Sequence, residues 1–289
     1  MPVPTTVPAL RGLLEQHGLR PKKSLGQNFL ISEALLEAVG RAADIGPDDV
    51  VVEIGPGVGT LTAQLARSAR HVIAIEIDRN MVAILRDTLS EFSNVTIIHE
   101  DILKLDLDGM LDRFLAPASP VPGQYKVVAN LPYYITSAVI RKFLEHPQRP
   151  GVLAVMVQEE VAQRILAAPG EMSLLAVSVQ FYALPLLAMR LPAGAFYPAP
   201  KVDSAVVRLT VRNERRTVDP KLFFRVAQAG FGQKRKQLRN SLSAGLAISP
   251  AAGESLLLSA GIDPQRRAQT LSIEEWERLA NAVAAELGA

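Results

Sequence analysis

Cysteine is absent from this 289-residue chain, which removes disulfides, thiolate zinc sites and every mechanism built on a cysteine nucleophile. The absence fits a reducing compartment. No basic start followed by an apolar core and a cleavage site opens the sequence, so no secretory signal is read and a cytoplasmic location is expected. Long apolar runs are also missing. The most apolar stretch, Leu174 to Leu191, is interrupted by Ser178, Gln180, Pro185 and Arg190. A membrane span needs about 20 nearly uninterrupted apolar residues, so this stretch reads as a buried element of a soluble protein. The four histidines (His17, His71, His99, His146) show no paired spacing, and no metal site is expected. There are no internal repeats and no low-complexity tract.

Charge is close to balanced, and a net +2 is too small to identify a partner. Its distribution says more. From Lys201 to Arg239 basic residues clearly outnumber the three acids Asp203, Glu214 and Asp219. On charge alone this is a solvated helix face; appended to a neutral body, it also suits a polyanion.

What is present is an alternation. Strand patterns at Val50–Ile54, Val72–Ile77, Val95–His99, Lys126–Ala129 and Val152–Val157 are separated by helical patterns such as Leu61–Ala69, Met81–Leu89 and Ser137–Leu144. Continuous apolar strands between helices predict an α/β fold with a mainly parallel sheet covered on both faces. Leu186–Leu191 and Ala205–Val211 could add an antiparallel edge. Beyond about Asn213 only helical patterns occur: Phe223–Phe231, Arg235–Leu246, Glu254–Ala260 and Ile273–Leu287, with Trp276 in the core of the last. The division expected is an N-terminal arm (1–24), a catalytic α/β domain (25–212) and a small helical domain (213–289).

Three motifs carry chemistry. Glu53-Ile54-Gly55-Pro56-Gly57-Val58-Gly59 falls between a strand and a helix. Its GxGxG spacing fits the dinucleotide fingerprint GxGxxG poorly. It suits a ligand without phosphate, such as S-adenosylmethionine, whose amino group needs acids nearby; a merely tight turn is the alternative. Glu76 ends the next strand, where a carboxylate can accept from both ribose hydroxyls. Asp78 lies nearby but farther from the strand end. Asp101 follows the third strand and could accept from the adenine amine of the cofactor.

The third motif is Asn130-Leu131-Pro132-Tyr133, after the fourth strand. An exocyclic amine is a poor nucleophile because its lone pair is delocalised into the ring. The Asn130 side-chain carbonyl and a backbone carbonyl of Leu131 or Pro132 can accept its two hydrogens and favour a pyramidal nitrogen. Tyr133 offers a face for base stacking, worth about 1–3 kcal/mol. Alone this would be an ordinary Asn-x-Pro turn; in phase with the glycine loop and Glu76 it reads as a site.

Together these residues resemble the rRNA adenine N6,N6-dimethyltransferases. The resemblance begins at Ser24-Leu25-Gly26-Gln27-Asn28-Phe29-Leu30 and passes through the three motifs. It includes Phe196-Tyr197-Pro198-Ala199-Pro200-Lys201-Val202-Asp203-Ser204 and ends in Phe231–Leu242, covering nearly the whole chain. It implies a Rossmann-like S-adenosylmethionine-dependent methyltransferase sheet with a small C-terminal helical domain. Asn28, Leu30, Gly55, Gly57, Glu76, Asp101 and Asn130 would contact the cofactor, Asn130 would also serve the target amine, and Phe196 would be a second aromatic wall for a flipped base. Lys234, Arg235, Lys236 and Arg239 would hold RNA phosphates, with Arg235 and Arg239 sharing a helix face by i,i+4 spacing. Within the family the likeness is strongest to the bacterial small-subunit enzymes. These dimethylate two adjacent adenosines near the 3′ end of 16S rRNA in the assembling subunit, and a monomer is expected.

Three other readings compete. A resistance-type enzyme would methylate large-subunit rRNA, and an assembly factor would bind RNA without turnover. A nicotinamide dehydrogenase would need GxGxxG and a hydride-transfer acid/base pair, and neither is visible.

Overall fold

The computed structural model describes residues 2–22, 25–115, 123–131, 135–212 and 216–287. In chain order its elements are α1 (Val7–Gln16), β1 (Phe29–Leu30), α2 (Glu33–Ala42), β2 (Val50–Ile54), α3 (Thr60–Ala66), β3 (His71–Glu76), α4 (Arg79–Thr88), β4 (Val95–His99) and α5 (Leu107–Phe114). There follow β5 (Tyr125–Asn130), α6 (Thr136–Leu144), β6 (Val152–Gln158), α7 (Glu159–Ile165), α8 (Leu174–Tyr182), β7 (Ala183–Leu191), β8 (Phe196–Tyr197) and β9 (Ser204–Val211). The chain ends with α9 (Pro220–Phe231), α10 (Leu238–Leu246), α11 (Pro250–Ser259) and α12 (Ile273–Leu287).

The unbroken apolar runs form the interior. β2 is buried at every position, and β3, β5 and β6 almost throughout. A strand buried on both faces needs cover above and below, which parallel crossover helices supply. The seven-stranded sheet has the order β4-β3-β2-β5-β6-β9-β7, parallel from β4 to β6, with β9 and β7 as the antiparallel edge. The chain goes outward from β2 to β3 and β4, then returns to the other side of β2 for β5. Such a reversal opens a crevice beyond the carboxyl ends of the strands. Register aligns those ends: Ile54 pairs with Ile75 and with Ala129, and Glu76 pairs with His99.

Residues 2–22 do not form a separate arm. Thr6 caps α1 by accepting from the Ala9 N–H at 3.3 Å. Leu10, Leu13 and Leu14 then bury against Phe29, Ile31, Val58, Met81 and Ile84. At about 1.5–3 kcal/mol for each buried leucine, the helix is held to the sheet side.

The chain divides into two compact units, residues 1–162 with 183–213, and residues 163–182 with 214–289. The expected boundary at 212/213 therefore needs correction, because 163–182 belongs with the C-terminal helices. α8 is apolar on nearly every side, and such a helix must be covered all round. Phe181 packs on Phe223 and Phe224 at 4.1 and 5.3 Å between ring centres, and Arg216 donates to the Phe181 carbonyl at 2.8 Å. Trp276 is fully buried in this unit and stacks on Phe231.

A second correction concerns Arg235. The helix predicted over Arg235–Leu246 begins only at Leu238, since Gln237 is extended (φ −65°, ψ 152°) and the Leu238 N–H donates to the Arg266 carbonyl at 2.7 Å. Lys234, Arg235 and Lys236 thus occupy an exposed turn, and Arg235 shares no helix face with Arg239. Among the described residues, no single helix is long and apolar enough to cross a membrane.

Candidate active site

The aligned strand ends and the segment ahead of β1 enclose a cleft of about 230 Å³. Asn28, Leu30, Gly55, Gly57, Glu76, Asp101 and Asn130 all line it, brought together from stretches far apart in sequence. Parallel register brings Gly55, Gly57, Glu76, Asp101 and Asn130 together at the carboxyl ends of their strands, while Asn28 and Leu30 arrive on the separate β1–β8 pairing.

The glycine loop runs tightly under the segment before β1. Gly55 and Gly57 have φ of 70° and 59°, where side chains are strained. A Cβ on Gly57 would lie 2.8 Å from the Phe29 ring, and one on Gly55 would lie 3.2 Å from the Asn130 carbonyl oxygen.

Glu76 is held from its own loop and from the glycine loop. One carboxylate oxygen accepts from the Asp78 N–H at 2.8 Å and the other from the Gly57 N–H at 3.3 Å. Burial pushes its carboxyl above the usual range, and those two N–H donors partly offset the effect. Glu53 lacks such help. It is 1% exposed, and its Oε2 has no hydrogen-bond partner. Burial pushes its carboxyl up to about 8, and nearby Glu76 adds to the rise.

Across the cleft, Asp101 accepts from the Leu103 N–H at 2.9 Å, while its own N–H donates to Glu100 at 2.8 Å. Ile77 and Leu103 also line the cleft yet are 53% and 39% exposed, leaving apolar surface for a flat ring. Among the described residues, every ionisable side chain lining the cleft is an acid: Glu53, Glu76, Glu100 and Asp101.

Asn130 and Asn28 form one unit. The Asn130 amide nitrogen donates to the Asn28 carbonyl at 3.0 Å, and the Asn28 side chain donates to the Gly26 carbonyl at 3.2 Å. Lys22 and Gln27 both donate to one oxygen of Asp78, at 2.8 and 3.1 Å, pinning the same segment beside β3. Neither latch is visible from spacing, since each joins residues more than 50 positions apart.

Leu131 is buried at 2% exposure, while Pro132 and Tyr133 lie outside the described residues. Phe196 does not line the cleft. It pairs with Leu30 across β1 and β8, is 6% exposed and packs in the same core cluster as Leu30 and Met156. The expected second aromatic wall is thus a core residue in this arrangement. In the helical unit, Lys234, Arg235 and Lys236 are exposed, and Arg239 is half-buried with Glu254 3.7 Å away.

S-adenosylmethionine carries an ammonium, a sulfonium, a carboxylate, a ribose and an adenine. The residues fit it: acids for its cationic groups, a carboxylate for the ribose, apolar rims for the base, and a buried carboxylate oxygen without a partner. A switch-point cleft with a GxGxG turn and acids at successive strand ends defines a Rossmann-like S-adenosylmethionine-dependent methyltransferase.

Comparison with known proteins narrows the class. Residues 18–285 match the family model for ribosomal RNA adenine dimethylase, and the chain belongs to that family. It is 46% identical over 281 residues to ribosomal RNA small subunit methyltransferase A of Dehalococcoides mccartyi strain CBDB1, covering 96% of this chain and 93% of the relative. The namesake from Geobacillus kaustophilus is 44% identical over 283 residues, with 96% and 95% covered. Among solved structures, the 23S rRNA methyltransferase ErmE is similar at 28% identity and a TM-score of 0.68, covering 88% of this chain and 99% of that one. A dimethyladenosine transferase from Plasmodium falciparum shares the fold at a TM-score of 0.75 and 22% identity, with 88% and 96% covered.

Proposed function

We propose that this enzyme dimethylates N6 of two adjacent adenosines near the 3′ end of 16S rRNA in the assembling small subunit, acting in the cytoplasm as a monomer without a metal. The observation that carries the reading is Asn130, at the end of β5 on the cleft, with its amide nitrogen committed to the Asn28 carbonyl. That commitment leaves the side-chain oxygen as the acceptor for the target amine.

When bound, S-adenosylmethionine supplies an electrophilic methyl group. The chain's residues supply orientation. Asn130 Oδ1 and a backbone carbonyl of Leu131 or Pro132 take the two amine hydrogens, so that the nitrogen lone pair points away from the ring plane. Tyr133 stacks on the base, with a contribution of about 1–3 kcal/mol. No covalent enzyme intermediate is needed, and rate comes from positioning and electrostatics. Lys234, Arg235, Lys236 and Arg239 hold phosphates and set register without reading sequence. The identity to the small-subunit methyltransferases supports the substrate assignment.

The test is transfer of labelled methyl from S-adenosylmethionine to small subunits lacking the modification, followed by nucleoside analysis. Wild type should yield N6,N6-dimethyladenosine in 16S rRNA. Asn130→Ala should be slower by about 10²–10³-fold, the usual cost of losing one transition-state hydrogen-bonding group. The likeness to ErmE gives a second reading, a large-subunit substrate. Label confined to 23S rRNA would establish that reading and overturn the first, and cofactor binding without label in either RNA would point to an assembly factor.

A further inference from the structure

We propose that Glu53 carries a proton while the cleft is empty and loses it to solvent when the cationic cofactor enters, so that cofactor uptake releases a proton. The geometry supplies the reason. Glu53 lies within the sheet between Ala74 of β3 and Val128 of β5, neither of which carries charge. It is 1% exposed with Oε2 unpartnered, yet it is part of the cleft lining.

Among the described residues, no positive side chain lines the cleft to relieve it. The Thr62 hydroxyl of α3 is itself buried without a hydrogen-bond partner, and from the end of β3 Glu53 meets a second acid, Glu76. Leu25–Leu30 and Met156 add no titratable group to the lining, and Glu100 and Asp101 add two more acids. A buried carboxylate without a partner is costly, and protonation removes the cost. Its raised carboxyl range, about 8, agrees with this. Glu76 has two backbone N–H donors and holds its charge more readily.

S-adenosylmethionine has one more positive than negative charge. In its presence the Glu53 O–H bond breaks, the proton passes to water and buffer, and the carboxylate stays behind as a counter-charge. Below about pH 8, affinity should therefore rise by up to tenfold per pH unit. The ribose and the adenine are uncharged and add nothing to this dependence.

Calorimetric titration of the whole protein with S-adenosylmethionine, in buffers of different ionisation enthalpy, counts the protons. Near neutral pH, wild type should release close to one proton per cofactor, and the count should fall above about pH 8. Glu53→Gln, shown folded by circular dichroism, should release none and give a flat affinity profile. The buffer dependence of the wild-type binding enthalpy tests the proposal whether or not Glu53→Gln folds. Binding enthalpy independent of buffer, or proton release that survives in folded Glu53→Gln, would overturn the proposal. The proposal rests on the cofactor assignment. Binding without proton release strikes only at Glu53, whereas no binding at all strikes at that assignment as well.

Discussion

The cleft and the basic turn of the helical unit use charge in opposite ways. The cleft is lined by four acids from the ends of three strands: Glu53 and Glu76 are buried, Asp101 is half-buried and Glu100 is exposed. Lys234, Arg235 and Lys236 are consecutive and exposed. Buried acids felt at close range choose a small cation, and their effect is scarcely screened by salt. Exposed bases act on a polyanion through counterion release, so their effect depends on salt. The contrast teaches that an acidic cleft and a basic turn can coexist on a chain whose net charge is only +2.

Reversing the turn, with Lys234, Arg235 and Lys236 all changed to Glu, should give the largest effect. Binding to rRNA should weaken on the order of 100-fold, and the salt dependence of log K should flatten by about 2–3. Cofactor affinity, read by calorimetry, should stay within about twofold. A loss of cofactor binding would break the separation of the two regions. Gly57→Ala should do the opposite: its Cβ meets the Phe29 ring in a backbone conformation that disfavours side chains. Cofactor affinity should fall about tenfold while filter binding of RNA is unchanged.

A smaller effect concerns pH. Folded Glu53 keeps its proton to about pH 8, whereas the unfolded chain loses it in the ordinary carboxylate range. The folded state therefore binds more protons across that window, and this group lowers stability as pH rises through it. Without cofactor, Glu53→Gln should melt progressively higher than wild type from about pH 5 to pH 8, and parallel melting curves would contradict the burial argument. The smallest effect expected is at the Lys22–Asp78 latch, where Lys22 is 41% exposed. Asp78→Asn should cost about 1 kcal/mol or less and speed cofactor release a few-fold in stopped flow.

Much of this architecture was legible because parallel strands write a strong signal. Val50–Ile54 and Val95–His99 are read with their observed limits, and the others within a few residues. The motifs were legible for the same reason, since each directly follows a strand. Helix starts were less so. The pattern from Arg235 onward is helical, but the Arg266 carbonyl, a tertiary partner, takes the Leu238 N–H and starts the helix there. The allegiance of Leu174–Tyr182 was hidden because an apolar run does not say which apolar surface it joins. Phe196 looked like a wall because its motif is local, while its burial depends on pairing with Leu30 far upstream. The bond between Asn28 and Asn130 has no sequence signature at all.

That cross-chain pairing has a consequence for biosynthesis. β1 is only two residues long, and its strand partner is Phe196–Tyr197. The segment that roofs the cleft leaves the ribosome well before its strand partner, Phe196–Tyr197, has been made. The nascent chain can lay down β2, β3 and β5 earlier, but the cofactor's chamber is finished late, as a distant loop closure. Cofactor capture is in this sense a report that translation has passed β8.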